Sequence, residues 1–542
     1  MLSFYVAAKN SYSKCNNVFF SVVILLTEKI NIHTTNYLNM KKICFIIILF
    51  LSLHVFAQNI NDKINLFETK INYWDKSKTK KWTLKERMAL YNTNAVSIAV
   101  IKDYKIEWVK AYGYADVSEH KPATPQTLFQ AASISKSINS LGILKLVQER
   151  KLDLETDINN YLTDWKFPYD EALTKGKKIS ISNLLSHTAG LSGHGFYGYE
   201  KGKKLPTIIE ILNGVPPANS GAVKSVFEPG LKFQYSGGGT VITQLILENV
   251  TGEKYEDYMM KNVLAPLGMK ESSFNQPPLE DKSSLLATGY YANGKEVKGK
   301  YHVYPEKAAA GLWTNSSDLA KYVIETQLSL LGNSNKILSK EMSAKRVENN
   351  LGVFLNDFKG TKYFGHSGGN EGFVCYYVGS VDGGNGVVVM TNGRNIRLID
   401  EIVCSIASMN NWKNYPVESQ KEPIALTIRK ECYKNIDKGI ELYKKLKKNN
   451  SADYNFSNEN ELNELGYEFL RDGNIDSAIK IFSLNVNEFP KSANVYDSRG
   501  EGYFNKKEYI LSKKDYLKVL ELDPTNQNAK EMLLKIEKEA VK

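Results

Sequence analysis

TLFQAASISKSINSLGILKLVQ, residues 127–148, is the stretch on which the reading of this chain turns. Ser133, Ile134, Ser135 and Lys136 form an S-x-x-K run that opens a segment in which Ile138, Leu141, Leu144 and Leu146-Val147 recur at helical spacing. The spacing predicts a buried helix that begins at Ser133 and leaves for solvent at the polar run Gln148 to Lys151. A serine and a lysine three places apart share one face of such a helix. They are a candidate acyl-transfer pair. A serine hydroxyl attacks a carbonyl only when a neighbouring base takes its proton, and an amine does so only where its surroundings keep it neutral near pH 7. On its own the run carries little, since a lysine three residues after a serine is more often a solvated surface side chain.

Three further runs follow in order: Leu184-Leu185-Ser186-His187-Thr188-Ala189-Gly190-Leu191, Tyr235-Ser236-Gly237 and His366-Ser367-Gly368-Gly369. Singly each has a bland reading as a loop holder, a turn or a hairpin. Together with the S-x-x-K run they resemble the serine β-lactamase-related hydrolases, the group of class C β-lactamases, D-alanyl-D-alanine carboxypeptidases and related esterases, whose motifs are S-x-x-K, Y-x-N and K-T-G or H-x-G. The likeness covers roughly residues 84–405 and includes Ala308 to Tyr322, which looks like this group's A-G-G-L…D-L-A helix start. It implies a β-lactamase/transpeptidase-like fold of mixed α and β class: an antiparallel sheet flanked by helices, with a mostly helical insertion.

Carried over residue by residue, the resemblance implies that Ser133 is the acylated nucleophile, Lys136 its proton acceptor and Tyr235 the second acid/base group. A phenol titrates near ~10, so Tyr235 needs positive charge beside it to act as a base. His366 takes the place of the K-T-G lysine and weakens the positive charge on that wall. The N–H groups of Ser133 and Gly369 would form the oxyanion hole, where one donor is worth about 3 to 4 kcal/mol, and Gly368 with Gly369 would leave room for substrate. The third position of Y-x-N is Gly237, so the amide that orients an acyl-amide is missing. This favours ester over β-lactam turnover. His187 is expected to be structural.

Other chemistries leave few traces. The seven histidines form no H-E-x-x-H, the later cysteines form no C-x-x-C, and neither a Walker A run nor G-x-G-x-x-G occurs. No metal and no cofactor is implied. The net charge is +11, but residues 1–57 hold five lysines against one acid, so the remainder carries +7. Dispersed lysines at that level do not read as a nucleic-acid site.

Met40-Lys41-Lys42, the apolar Ile43 to Val55 and the small Ala57 read as a signal peptide over residues 40–57, with residues 1–39 an upstream mis-start. A periplasmic or secreted location follows as an expectation, with no stable membrane span, because Phe19 to Leu26 and Ile43 to Leu53 are both short of the ~20 residues a spanning helix needs. Cys375, Cys404 and Cys432 are not expected to form structural disulfides.

Residues 58–83 read as a loosely packed lead-in. "AVSIAVIKDYKIEWVKAYGYADV" and "GFVCYYVGSVDGGNGVVVMTN" read as hairpins turning at Asp103-Tyr104 and Asp382 to Asn385, and the two are expected to meet in one sheet. Asn315 reads as a helix N-cap. After a polar boundary at Met409 to Pro423 the chain turns lysine- and glutamate-rich. Gly466 and Gly500, Phe469 and Tyr503, Ala478 and Ser512, Phe482 and Tyr516, and Pro490 and Pro524 are each 34 residues apart. This resembles tetratricopeptide repeats over about 425–540, with a single helix from Leu426 to Lys448 stacked beneath them. The expected function is a serine hydrolase of ester or amide substrates, small-molecule or peptide, whose repeats take a protein partner. The alternative is a non-hydrolytic binder of a peptide or peptidoglycan fragment.

Overall fold

The computed structural model describes residues 60–71, 82–417, 421–449 and 452–540; the expected leader, residues 1–57, lies outside them. Residues 60–65 are helical and belong to a separate unit, while the chain from Leu66 onward forms one compact unit. Within it, Phe67 and Ile71 are fully buried and the Phe67 ring lies 5.9 Å from Trp108, so this part of the lead-in is packed and not loose.

The N-terminal helix α1 (Leu84–Leu90) leads into the hairpin β1 (Ala95–Lys102) and β2 (Lys105–Asp116), with β3 (Lys121–Pro122) at its edge. Asp103 and Tyr104 make the turn with φ of 50° and 61°. Helices α2 (Ile134–Gln148), α3 (Gly237–Thr251), α4 (Ser316–Leu331) and α5 (Lys340–Glu348) belong to the long insertion. Strands β4 (Phe354–Phe358), β5 (Thr361–Asn370), β6 (Phe373–Ser380) and β7 (Gly386–Thr391) then complete the sheet, and α6 (Ile396–Met409) follows. The order is β3-β2-β1-β7-β6-β5-β4, antiparallel throughout. The two hairpins meet at β1 and β7, in register from Val96 opposite Thr391 to Ile101 opposite Gly386.

The sheet is covered on both faces, which is why β1 reads as an apolar run interrupted only by Ser97, whose hydroxyl bonds that of Ser316 at 2.8 Å. Ala95, Ala99 and Ile101 join the main core with Leu319 and Val323 of α4, whereas Val96, Ile98 and Val100 are equally buried but outside that cluster. Asn315 caps α4 by accepting from the Asp318 N–H at 2.8 Å. On α1, the fully buried Arg87 meets Glu401 of α6 through Nε at 2.6 Å, and the Tyr91 hydroxyl donates to the same carboxylate.

The C-terminal region is all helical: α7 (Ile424–Lys434), α8 (Ile436–Asn449), α9 (Asn460–Arg471), α10 (Ile475–Glu488), α11 (Ala493–Asn505), α12 (Tyr509–Leu522) and α13 (Gln527–Ala540). The 34-residue period has a packing cause. A Cβ on Gly466 would lie 2.3 Å from the Phe482 ring and one on Gly500 3.2 Å from Tyr516, so each glycine lets its helix pair cross closely over an aromatic ring. The expected helix from Leu426 to Lys448 is instead two. Asn435 is extended at φ −157°, and the chain reverses so that Gly439 lies against Cys432. Ile436, Ile440, Leu442 and Leu446 pack within this helical region.

The stretch from Met409 is not a free linker either. Trp412 is buried, stacked at 6.0 Å on Tyr363 and set edge-on at 5.2 Å to Tyr415, which also meets Phe358. Trp412→Ala is therefore expected to cost about 3–5 kcal/mol in urea unfolding, the range for emptying a buried tryptophan site. A chain ending at Val417 keeps this cluster and should stay soluble, whereas one ending at Asn411 should not. Equal solubility of the two truncations would contradict the assignment.

Candidate active site

Ser133 occupies the N-cap position of α2 at φ −64°, ψ −12°, and its hydroxyl makes no capping bond. The preceding Ala132 sits at φ 49°, a left-handed conformation that residues other than glycine rarely adopt. Neighbours hold this sharp turn. The Ala131 N–H donates to the Leu312 carbonyl at 2.8 Å, the Leu312 N–H donates to Ser135 Oγ at 3.0 Å, and the Cys375 thiol donates to the Ala131 carbonyl at 3.1 Å. One turn on, Lys136 is 3% exposed, and its Nζ donates to Ser133 Oγ at 3.0 Å and to the Ala309 carbonyl at 2.7 Å. The same Nζ lies 5.0 Å from the centroid of the Tyr235 ring.

Tyr235 immediately precedes α3, whose N-cap is Ser236, and its ring is boxed by aromatics: His187 at 4.4 Å, His194 at 5.0 Å, His366 at 6.3 Å and Phe354 at 6.5 Å. His187 is buried at φ 58° and its Nδ1 accepts from the Ser236 N–H at 3.2 Å, so it holds the Tyr235 loop directly. Burial, then the Lys136 charge, pushes His187 down to about 3. The same two causes push the buried His366 down to about 3. Its Nδ1 lies 2.6 Å from the Ser367 carbonyl and must donate, which fixes the tautomer. Lys136 and His366 line the cleft, and His187 lies behind Tyr235 at 4.4 Å between ring centroids.

Strand β4 pairs only with residues 361–365 of β5, so one edge of β5 is unpaired from His366 to Asn370. A two-residue turn, Glu371-Gly372, joins β5 to β6 and pairs Asn370 with Phe373. Alternation along an antiparallel ladder then directs the Gly369 N–H away from β6, to the free edge. Space around Gly369 is open, with nothing within 4 Å of a Cβ placed there. Gly368 is different: its Cβ would lie 2.2 Å from the Ala131 carbonyl and 2.8 Å from Cys375 Sγ. It lets β5 pass against the turn that carries Ser133 and does not border the substrate space. Gly237 is also away from the cleft. It is the first residue of α3, covered by the Phe196 ring and the His194 carbonyl at 3.0 and 3.1 Å from a Cβ, so the missing amide leaves no gap in the cleft wall.

Ser133, Lys136, Tyr235, His366 and Gly369 line one cleft of about 480 Å³. Its other walls are His194, Phe196, Phe233 and Phe354, which the motif reading missed. They come from loops and from β4, and no spacing in the sequence marks them. A second unmarked group is Glu306, which begins the turn that presents Ala309 to Lys136. It is wholly buried, and burial pushes its carboxyl up to about 8. Among the described residues, no group of three or more His, Cys, Asp or Glu can hold a metal ion, and no helix is long and apolar enough to cross a membrane.

The family model described as Beta-lactamase matches residues 83–397. Protein flp of Staphylococcus aureus (strain N315) is 29% identical over 307 residues, 55% of this chain and 59% of its own length. Penicillin-binding protein 4* of Bacillus subtilis (strain 168) is 28% identical over 200 residues, 36% of this chain and 41% of its own. The chain thus spans less than two thirds of the length of these relatives. The structure of the octameric penicillin-binding protein homologue from Pyrococcus abyssi matches with a TM-score of 0.52 and 26% identity, over 64% of this chain and 80% of that one.

Two expectations follow from the geometry. Gly368→Ala should displace the Ala131-Ala132 turn and abolish labelling of Ser133 by a fluorophosphonate, while Gly369→Ala labels; the reverse pattern would refute the placement. The second concerns pH. Unfolded histidine takes up a proton near 6.5 but His187 and His366 only near 3, so between those values the unfolded chain binds more protons and stability falls as pH falls. Glu306 acts in the opposite window: from about 4.5 to 8 the folded chain holds the extra proton, and stability falls as pH rises. Urea unfolding of Glu306→Gln should therefore show a flatter alkaline limb, and that of His187→Gln a flatter acid limb, by at most about 1.4 kcal/mol per pH unit each. Limbs as steep as in the parent protein would count against both.

Proposed function

Because the chain belongs to the beta-lactamase family, we propose that it is a serine hydrolase that cleaves esters or amides through an acyl-enzyme on Ser133. The observation that carries this reading is the Lys136 amine, buried and 3.0 Å from Ser133 Oγ. In the neutral state the amine takes the hydroxyl proton as Oγ bonds to the substrate carbonyl carbon. The carbonyl oxygen becomes an oxyanion, which accepts from the N–H groups of Ser133 and Gly369. When the tetrahedral adduct collapses, the bond to the leaving group breaks and that group departs with a proton delivered through Lys136 and Tyr235. Water then attacks the acyl-enzyme with the same groups as base, releasing the acid and restoring Ser133.

His366 holds no charge in this scheme and serves as a neutral wall beside Tyr235. The same proposal includes export, with residues 40–57 as the cleaved signal and a periplasmic or secreted location, and a protein partner for the repeats.

Intact-mass analysis after incubation with a fluorophosphonate should show one adduct that maps to Ser133 and disappears in Ser133→Ala. Tyr235→Phe should lower kcat for p-nitrophenyl acetate by about 10²–10⁴. Labelling that persists in Ser133→Ala would sink the assignment.

A further inference from the structure

Beside the nucleophile, the cleft offers aromatic surface and no unengaged lysine or arginine; besides His366 its one histidine is the exposed His194, packed 5.0 Å from the Tyr235 ring. Phe196, Phe233 and Phe354 form walls, and Phe233 is 56% exposed at the mouth. Tyr197 and Leu231, close in sequence to two of these rings, are 76% and 61% exposed and extend the apolar surface of these loops. Among the described residues lining the cleft, Lys136 is the one Lys or Arg, and its amine is taken up by Ser133 and the Ala309 carbonyl. The nearby guanidinium of Arg346 is buried outside the lining and donates to Ser140 Oγ, the Ser137 carbonyl and the Tyr322 hydroxyl. His366 cannot replace it. Its Nδ1 is held by the Ser367 carbonyl, its ring lies 4.9 Å from Phe354, and it is neutral across the working pH range. The Asn370 amide is likewise engaged, donating to Gln130 Oε1 and the Ala310 carbonyl.

A carboxylate placed in this cleft would lose water and find no free lysine or arginine to pair with, which is costly. An aromatic or aliphatic group would gain by burial against the phenylalanines. We propose, on the hydrolase reading above, that the cleft selects uncharged acyl substrates with an apolar or aromatic group and discriminates against those with a carboxylate next to the scissile bond, Phe233 and His366 being the specificity-determining side chains. Carboxylate-terminated D-peptides and β-lactams are then poor substrates because of the walls, and Gly237 is not the cause.

The test is a matched pair of thioesters hydrolysed by the full chain at pH 7.5: S-phenylacetyl thioglycolamide, which is neutral, and S-phenylacetyl thioglycolate, which carries a carboxylate. In each, the Ser133 Oγ–acyl bond forms as the C–S bond breaks, the thiol leaves with the proton taken from Ser133, and water then cleaves the acyl-enzyme. Thiol release gives kcat/KM. With each kcat/KM divided by that thioester's hydroxide-catalysed rate constant, so that the better leaving thiol of the amide cancels, the expected result is a preference of about tenfold or more for the neutral thioester. Phe233→Ala should raise KM for the phenylacetyl amide several-fold while changing that of the acetyl analogue less, and His366→Lys should cut the neutral preference about tenfold whatever its effect on total rate. Fluorophosphonate labelling separates the two levels of the argument. Ser133 labelled with equal rates on the pair, or with the carboxylate preferred, overturns this inference and leaves the hydrolase reading standing. Absence of labelling and of hydrolysis overturns both.

Discussion

The pairing of β1 with β7 is the constraint from which the rest of this structure follows. It joins the first strand of the catalytic region to the last, so everything between Pro122 and Phe354 has to leave the sheet and return to it. The returning chain packs α4 and α2 against the sheet, and β5 comes to lie beside the start of α2. Where they touch, no side chain fits: Gly368 faces the Ala131 carbonyl, and the Cys375 thiol on β6 reaches the same oxygen. Ser133 is therefore placed by the sheet as much as by its own helix. Strain at Ala132, of order 1–3 kcal/mol for such a backbone, persists because the surrounding contacts over-determine the turn.

The second organising fact is the company Lys136 keeps. An amine at 3% exposure normally meets a carboxylate, but here it meets a hydroxyl, a carbonyl and the face of a tyrosine. All three leave room for a neutral amine as well as a charged one. A carboxylate would fix the proton and end its usefulness as a base. Glu306, buried three residues before the Ala309 that Lys136 bonds, is held protonated by burial up to about 8, and the two histidines are held neutral. The Lys136 amine therefore stands next to the nucleophile with no carboxylate bonded to it.

How much of this was legible in the sequence depended on whether a feature is local. The helix start at Ser133, the N-cap at Asn315 and both hairpin turns were readable because each is set by residues within a few positions of one another. The three separated motifs converge as the resemblance implied. What stayed hidden has long-range causes. Phe233, Phe354 and His194 meet around Tyr235 from loops and a strand with no shared period. Gly237 and Gly368 occupy motif positions and yet serve packing, a difference that only the neighbouring Phe196 and Ala131 reveal. The split at Asn435 escaped a helical periodicity reading because Ile428, Ile436 and Ile440 keep helical spacing straight across it.

The helical C-terminal region is not a loose appendage, and the chemistry of its contact says why. Arg397 on α6 pairs with Glu461 at 2.8 Å with both side chains largely buried, Arg87 reaches Glu422 at 3.6 Å, and Arg429 donates to the Ala292 carbonyl. Asn293 in the same loop donates to Asp472. Pairs of this kind add little net stability, because desolvation offsets most of the attraction. They are directional, however, and several at different angles admit one relative placement of the two surfaces. The loop they grip is also the one that braces the end of β5: the Tyr290 N–H donates to the Gly372 carbonyl at 3.3 Å, and Gly289 is crowded against Gly372 and Phe373. Gly372 closes the turn that begins at Asn370, one residue beyond the Gly369 N–H. A polar, angle-specific contact on Ala292 and Asn293 therefore sits one bracing loop away from the strand edge that frames the cleft, so the geometry of that edge is shared between the sheet and the helical region.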